Sequence, residues 1–187
     1  VALKGFIELL RLQHLAESRQ QTAPQTPQWQ GVAFSIAGMQ FVAPIGEVTE
    51  VIASPQQITP VPLSKSWLLG IANVRGQLLP IMDLAKFLNL NSRNSRSHTP
   101  GAAYTALQER QKVLVIRQQD ISVGLLVDAV TQIKKFLPEQ YVAKSLPTDS
   151  PFLAYNHGQF VADDQQQWPV FMPSLLIEDP RFLEARI

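Results

Sequence analysis

The chain has no cysteine, which excludes a disulfide scaffold and any thiolate metal site and suits an intracellular protein. It also lacks a charge excess. Sixteen basic residues against fifteen acidic ones leave a net charge of +1, too little to drive binding to a phosphate backbone or an acidic membrane, so no nucleic-acid partner is expected. No apolar run approaches the ~20 residues that span a bilayer, so no direct membrane insertion is expected, and no signal peptide with a cleavage site is visible. Catalytic fingerprints are missing too: there is no phosphate-cradling Gly-rich loop with a lysine, no nucleophile elbow and no dinucleotide motif. The three histidines, His14, His98 and His157, have no metal-ligand spacing on one element. The expectation is a protein without enzyme activity, cofactor or metal.

What is present is apolar sequence in short runs. With 45% hydrophobic residues, 187 residues make one moderate domain or two small intimate ones. Leu3, Phe6, Ile7, Leu10 and Leu15, with Leu9 and Leu12 alongside, predict an amphipathic helix from about Ala2 to Arg19. Gln20 to Gln28, with two prolines and little to bury, reads as a linker. From Trp29 the pattern turns to β. Val32, Phe34 and Ile36 alternate, Ala37-Gly38 supplies a turn, and Met39 to Ala43 returns as a hairpin. Val48, Val51 and Ile52 suggest a short helical or irregular segment. Leu84 to Leu90 reads as a short helix, and a polar loop around 91–111 precedes a second hairpin, Val113 to Arg117 and Ile121 to Val127.

The stretch Trp67 to Leu84 places Asn73, Arg75 and Asp83 inside otherwise apolar sequence. It reads as a strand, a tight turn presenting Arg75 and a second strand, with Gly70 and Gly76 providing the bends. Asp83 and Asp128 stand beside apolar positions as expected caps of helical turns. Comparing position n with n + 82 exposes a duplication. Phe34 falls on Ile116, Phe41 on Val123, Val48 on Val130, Thr49 on Thr131 and Val51 on Ile133. A weaker echo sets Asn73 to Ile81 against Asn156 to Phe160 and Trp168 to Phe171, without the arginine. Duplicated short strands predict two small β-barrel lobes, closure being the way small sheets remove exposed edges. Glu50 and Arg75, retained in one copy only, are the better site candidates.

Gly70-Ile-Ala-Asn-Val-Arg-Gly-Gln-Leu-Leu-Pro-Ile-Met-Asp-Leu84, with Glu47-Val-Thr-Glu-Val51 and Val123-Gly-Leu-Leu-Val-Asp-Ala-Val130, resembles the CheW family of chemotaxis coupling proteins from about Trp29 to Leu176. The added N-terminal segment and the long polar loop resemble the branch that serves type IV pili and twitching motility. The resemblance implies a mainly β fold of two pseudo-symmetric, five-stranded SH3-like barrels over residues 29–187, after an N-terminal helix and linker at 1–28, with the loop around 91–111 separating the lobes. It implies a cytoplasmic, non-catalytic adaptor recruited to receptor arrays, whose partners are the cytoplasmic tip of a methyl-accepting chemoreceptor and the regulatory domain of a CheA-type histidine kinase. Val48, Glu50, Asn73 and Arg75 are then the partner-binding candidates. The competing class, a small-barrel nucleic-acid-binding module, requires a basic face interleaved with aromatics; near-neutral charge and 8% aromatics do not supply it.

Overall fold

Strands of the duplicated hairpins are buried on both faces, and the rest of the architecture follows from covering them. In a computed structural model that describes residues 28–90, 110–118 and 120–186, these include β1 (Trp29–Ile36) and β6 (Lys112–Gln118), each with four consecutive buried residues. A continuous apolar run such as Val113-Leu-Val-Ile116 fits only where both sides of the sheet are covered. The expected helix at 2–19, its linker to Pro27 and the polar segment 91–109 lie outside the described residues.

The other strands are β2 (Met39–Pro44), β3 (Val48–Ala53), β4 (Leu68–Val74), β5 (Gln77–Asp83), β7 (Ile121–Val127), β8 (Ala129–Phe136), β9 (Tyr141–Val142), β10 (Asn156–Val161) and β11 (Gln167–Phe171). Short helices α1 (Leu84–Phe87), α2 (Pro173–Ile177) and α3 (Pro180–Leu183) follow β5 and β11. The strands form two sheets, β3-β6-β7-β5-β4 and β8-β1-β2-β11-β10-β9. The first is made from the contiguous span 48–127; the second joins β1 and β2 to β8–β11 across that insertion. Each hairpin therefore hands its third strand to the other lobe, β3 to β6 and β8 to β1. The loop around 91–111 does not separate the lobes, because the strands on either side of it, β5 and β6, share one sheet. Two lobes stand as expected, the second with a sixth strand, the two-residue β9.

The core divides accordingly. Val32, Phe34 and Ile36 of β1 meet Leu114 and Ile116 of β6 in the seam between lobes, together with Val48, Met82 and Leu125. The alternate residues point the other way: Ala33 joins Val42, Phe136, Phe160 and Trp168 inside one lobe, and Val113 and Val115 join Ala72, Leu79 and Ile81 inside the other.

The segment after Pro44 is strand β3, not helix. Its register slips at Thr49, where Val48 faces Ile116 and Glu50 faces Val115. An extra residue in one strand breaks the period of two, so Val48, Val51 and Ile52 take on helix-like spacing. The duplicate position, Thr131, lies at the matching slip between β8 and β1, where Ala33 faces Gln132 and Phe34 faces Val130. The late echo is shifted as well: Pro80 faces Ile71 and Pro169 faces Gln159, so Asn73 corresponds to the end of β10 and not to Asn156. The counterpart of the Arg75 turn is Ala162 to Gln166.

The C-terminal segment closes the seam. Phe182 stacks on Trp67 at 5.8 Å and meets Phe87 edge-on at 5.3 Å. Asp179, which caps α3 by accepting from the Arg181 amide, also receives the Tyr155 hydroxyl at 2.5 Å and the Arg181 guanidinium at 2.7 Å. The bonds from Arg181 hold the Asp179 carboxyl well below the usual carboxylate range, and burial with the neighbouring carboxylate pushes the Tyr155 phenol up to about 12.

Two consequences are measurable. Gly70 has φ +141°, and a Cβ there would collide with the Thr59 carbonyl, which bridges to Ile71. Gly70→Ala is expected to lower stability by about 2 kcal/mol or more, read as a lower urea midpoint at unchanged slope. A depressed carboxyl pKa stabilises above the unfolded value of ~3.9 and loses that contribution as pH falls towards the folded value. Asp179→Asn should therefore cost about 1–3 kcal/mol at pH 7, and its urea midpoint should begin to approach the wild-type value only as pH falls below about 4.

Candidate functional site

The β4–β5 hairpin is a two-residue turn in which Val74 faces Gln77. Arg75 (φ 51°) and Gly76 (φ 83°) both occupy the left-handed region that such turns require. Glycine adopts it freely; arginine does not, and the Asn73 carboxamide oxygen secures the turn by accepting from the Gly76 amide at 2.9 Å. Arg75 is thereby held at the tip of the hairpin, 77% exposed.

Its guanidinium pairs with Glu50 at 2.6 Å, the Glu50 side chain being 25% exposed. Glu50 lies on β3 and Arg75 between β4 and β5, the opposite margins of the five-stranded sheet. Four strand spacings of ~4.8 Å would set those margins about 19 Å apart in a flat sheet, beyond the combined reach of the two side chains. The pair therefore clasps a curled sheet across the mouth of its barrel. Beside it, Arg117 of β6 donates to the Gln77 side chain at 3.0 Å, and Leu78 is 74% exposed.

Of the predicted partner residues, Glu50, Arg75 and Asn73 converge on this mouth. Val48 is buried in the interlobe seam and backs β3 from below. Gln77, Arg117 and Leu78 were not singled out from sequence. Arg117 ends an apolar strand and could have been flagged by that contrast; the exposure of Leu78 has no sequence signal, since a leucine in a strand reads as core.

The predicted structural residues separate into two kinds. Gly70 and Gly76 take the positive φ values expected of bends. Asp83 caps α1, accepting from the Lys86 amide at 3.0 Å. Asp128 caps no helix: it accepts from the Ala37 amide at 2.7 Å and so ties the β7–β8 junction to the β1–β2 turn. Partial burial raises its pKa, the Ala37 bond opposes this, and the charge of Asp83 adds to it. Two acids in electrostatic contact thus have separate backbone duties.

In the other lobe the corresponding turn carries acid. Asp163 accepts from the Gln140 side chain at 2.7 Å, and Gln166 donates to Gln40 at 2.9 Å. The duplicated barrels present opposite charge at equivalent turns, which gives the molecule two unlike faces.

A two-barrel fold with an exchanged third strand, and an Asn-x-Arg-Gly turn clasped to a glutamate, set the architecture of this domain. The CheW-like domain family matches residues 30–180, and the chain belongs to the CheW family. It is similar to Protein PilI of Pseudomonas aeruginosa, with 36% identity over 168 residues, 90% of this chain and 85% of that one. A CheW of Thermotoga maritima is 30% identical over 91 residues, covering 49% of this chain and 52% of the relative. In structure the chain resembles the scaffolding protein TtCheW of Thermoanaerobacter tengcongensis (TM-score 0.62, 22% identity, 81% of this chain and 87% of that one), a likeness of fold.

Because Arg75 is largely exposed, its pairing with Glu50 should couple by less than about 1 kcal/mol. A double-mutant cycle of Glu50→Gln and Arg75→Gln, followed by urea unfolding, is expected to give a value in that range that shrinks further in 1 M salt.

Proposed function

We propose that this chain is a non-catalytic adaptor that couples a methyl-accepting chemoreceptor to a CheA-type histidine kinase in a chemotaxis-like pathway controlling type IV pilus twitching motility. Family membership supports the adaptor role, and the similarity to PilI along most of both chains supports the pilus branch. The observation that carries the reading is the Arg75 turn. An arginine is held in a left-handed conformation at a barrel mouth, clasped to Glu50, with Leu78 exposed beside it. So little stability comes from that pair that its geometry is better explained by recognition than by folding.

In this reading Glu50 orients the guanidinium, Asn73 fixes the turn, Val48 supports β3 from the seam, and Arg75 donates a planar fork to a partner carbonyl or carboxylate. Leu78 supplies an apolar contact at the margin. The partner surfaces are the receptor's helical hairpin tip and the regulatory domain of the kinase. The protein acts in the cytoplasm and joins membrane-associated arrays through these partners; among the described residues no helix is long and apolar enough to cross a membrane.

The test is a pull-down with the cognate kinase regulatory domain and with the receptor tip, using wild type and Arg75→Ala. A desolvated interfacial arginine is worth ~2 kcal/mol or more, so Arg75→Ala should weaken one of the two complexes by at least about tenfold while its urea midpoint stays within about 1 kcal/mol of wild type. Unchanged affinity for both partners removes Arg75 from the site, and failure of the wild type to bind either removes the adaptor reading.

A further inference from the structure

The interior of the six-stranded lobe opens to the surface in an apolar groove of about 530 Å³. Its walls include Trp29, Pro44, Tyr141, Phe160 and Met172, with His157 at an exposed rim. The groove lies in the lobe that does not carry Arg75, so the proposed adaptor contacts leave it unassigned. Its aromatic wall is ordered: Trp29 packs on Phe160 at 4.6 Å and Phe136 stacks on Phe160 at 4.6 Å. Tyr141 meets Phe160 edge-on at 5.4 Å, and β9 supplies it from a two-residue strand at the sheet margin.

The chain itself arrives at this groove. Gln28 and Trp29, the first two described residues, both line it. Behind them lie the eight residues Gln20 to Pro27, and behind those the apolar stripe Leu3, Phe6, Ile7 and Leu10. A proline-containing linker of that length extends about 25 Å at ~3.1 Å per residue. The stripe is therefore within range of the groove. A tether this short holds its two ends at millimolar effective concentration, so a modest apolar contact suffices to populate the docked state. An amphipathic stripe needs a cover, and the groove has room for several of its side chains.

We propose that the N-terminal segment of this chain docks its Leu3–Phe6–Ile7–Leu10 stripe into the groove of its own six-stranded lobe, between Trp29 and the Tyr141–His157 rim. The segment then covers the apolar mouth of the lobe that lacks the arginine turn.

Because the chain has no cysteine, a single pair can be installed in the full chain. Leu9→Cys is combined with His157→Cys at the rim, or with Leu63→Cys, which is 72% exposed before β4, as the control pair. A disulfide forms only when the Cα atoms come within about 7 Å. In dilute protein the 9/157 pair should close an intramolecular disulfide at least about tenfold faster than the 9/63 pair. Adding Phe6→Asp and Leu10→Asp should bring it down to the control rate, all measured on non-reducing gels. Equal rates for the two pairs, or a 9/157 rate indifferent to the aspartates, overturn the proposal. A covalent dimer whose yield rises with protein concentration also overturns it, by assigning the groove to a second copy.

Discussion

Burial of β1 and β6 on both faces is the constraint on which the other features depend. A strand covered on one side can belong to any small sheet; one covered on both sides needs a second layer, and here each lobe is that layer for the other. Val32, Phe34 and Ile36 can face the seam only because Ala33, the alternate residue, faces the lobe interior. The exchange of β3 and β8 fixes this arrangement covalently. Neither lobe is complete within one copy of the duplication, so the seam forms together with the barrels and separation of the lobes would expose two unpaired strand margins.

From that constraint the site's rigidity follows. Glu50 stands on β3, the strand lent across the seam, and it is anchored by the pairing of Val48 with Ile116 at the Thr49 bulge. Arg75 sits on a hairpin whose next strand, β5, runs parallel to β7 through Ile81, Met82 and Asp83. Pro80, which has no amide hydrogen, comes just before that ladder begins, and Pro169 does the same before Val170 pairs with Val42 in the other lobe. The two ends of the clasp are thus carried on elements tied to the core, which lets an exposed ion pair keep one geometry although it contributes little to stability.

Much of this was legible in the residues and some was not, for identifiable reasons. Hairpins announced themselves because Ala37-Gly38 and Arg75-Gly76 interrupt alternating apolar runs, and the duplication was legible because buried positions repeat at one offset through β1–β3 and β6–β8. The segment from Val48 misled because a bulge converts strand spacing into apparent helical spacing. Asp128 misled because its acceptor role is filled by the amide of Ala37, 91 residues away, and local sequence contains no trace of such a partner. The polar loop looked like a lobe boundary because composition reports solvent exposure, whereas lobe membership is set by strand pairing. Asn156 took the place of Asn73 in the echo because the turn grew from two residues to five, which shifts the offset after β10.

The asymmetry between the copies is where the duplicated surfaces diverge. Equivalent turns now carry Arg75 in one lobe and Asp163 in the other, one bonded to a glutamate across a barrel mouth and the other to Gln140 at the sheet margin. A symmetric pair of barrels would offer one kind of surface twice and would favour self-association of like faces. Opposite charge at equivalent positions instead makes the two turns chemically distinct surfaces. Divergence of two turns on a shared seam is a direct physical route from one duplicated surface to two unlike ones.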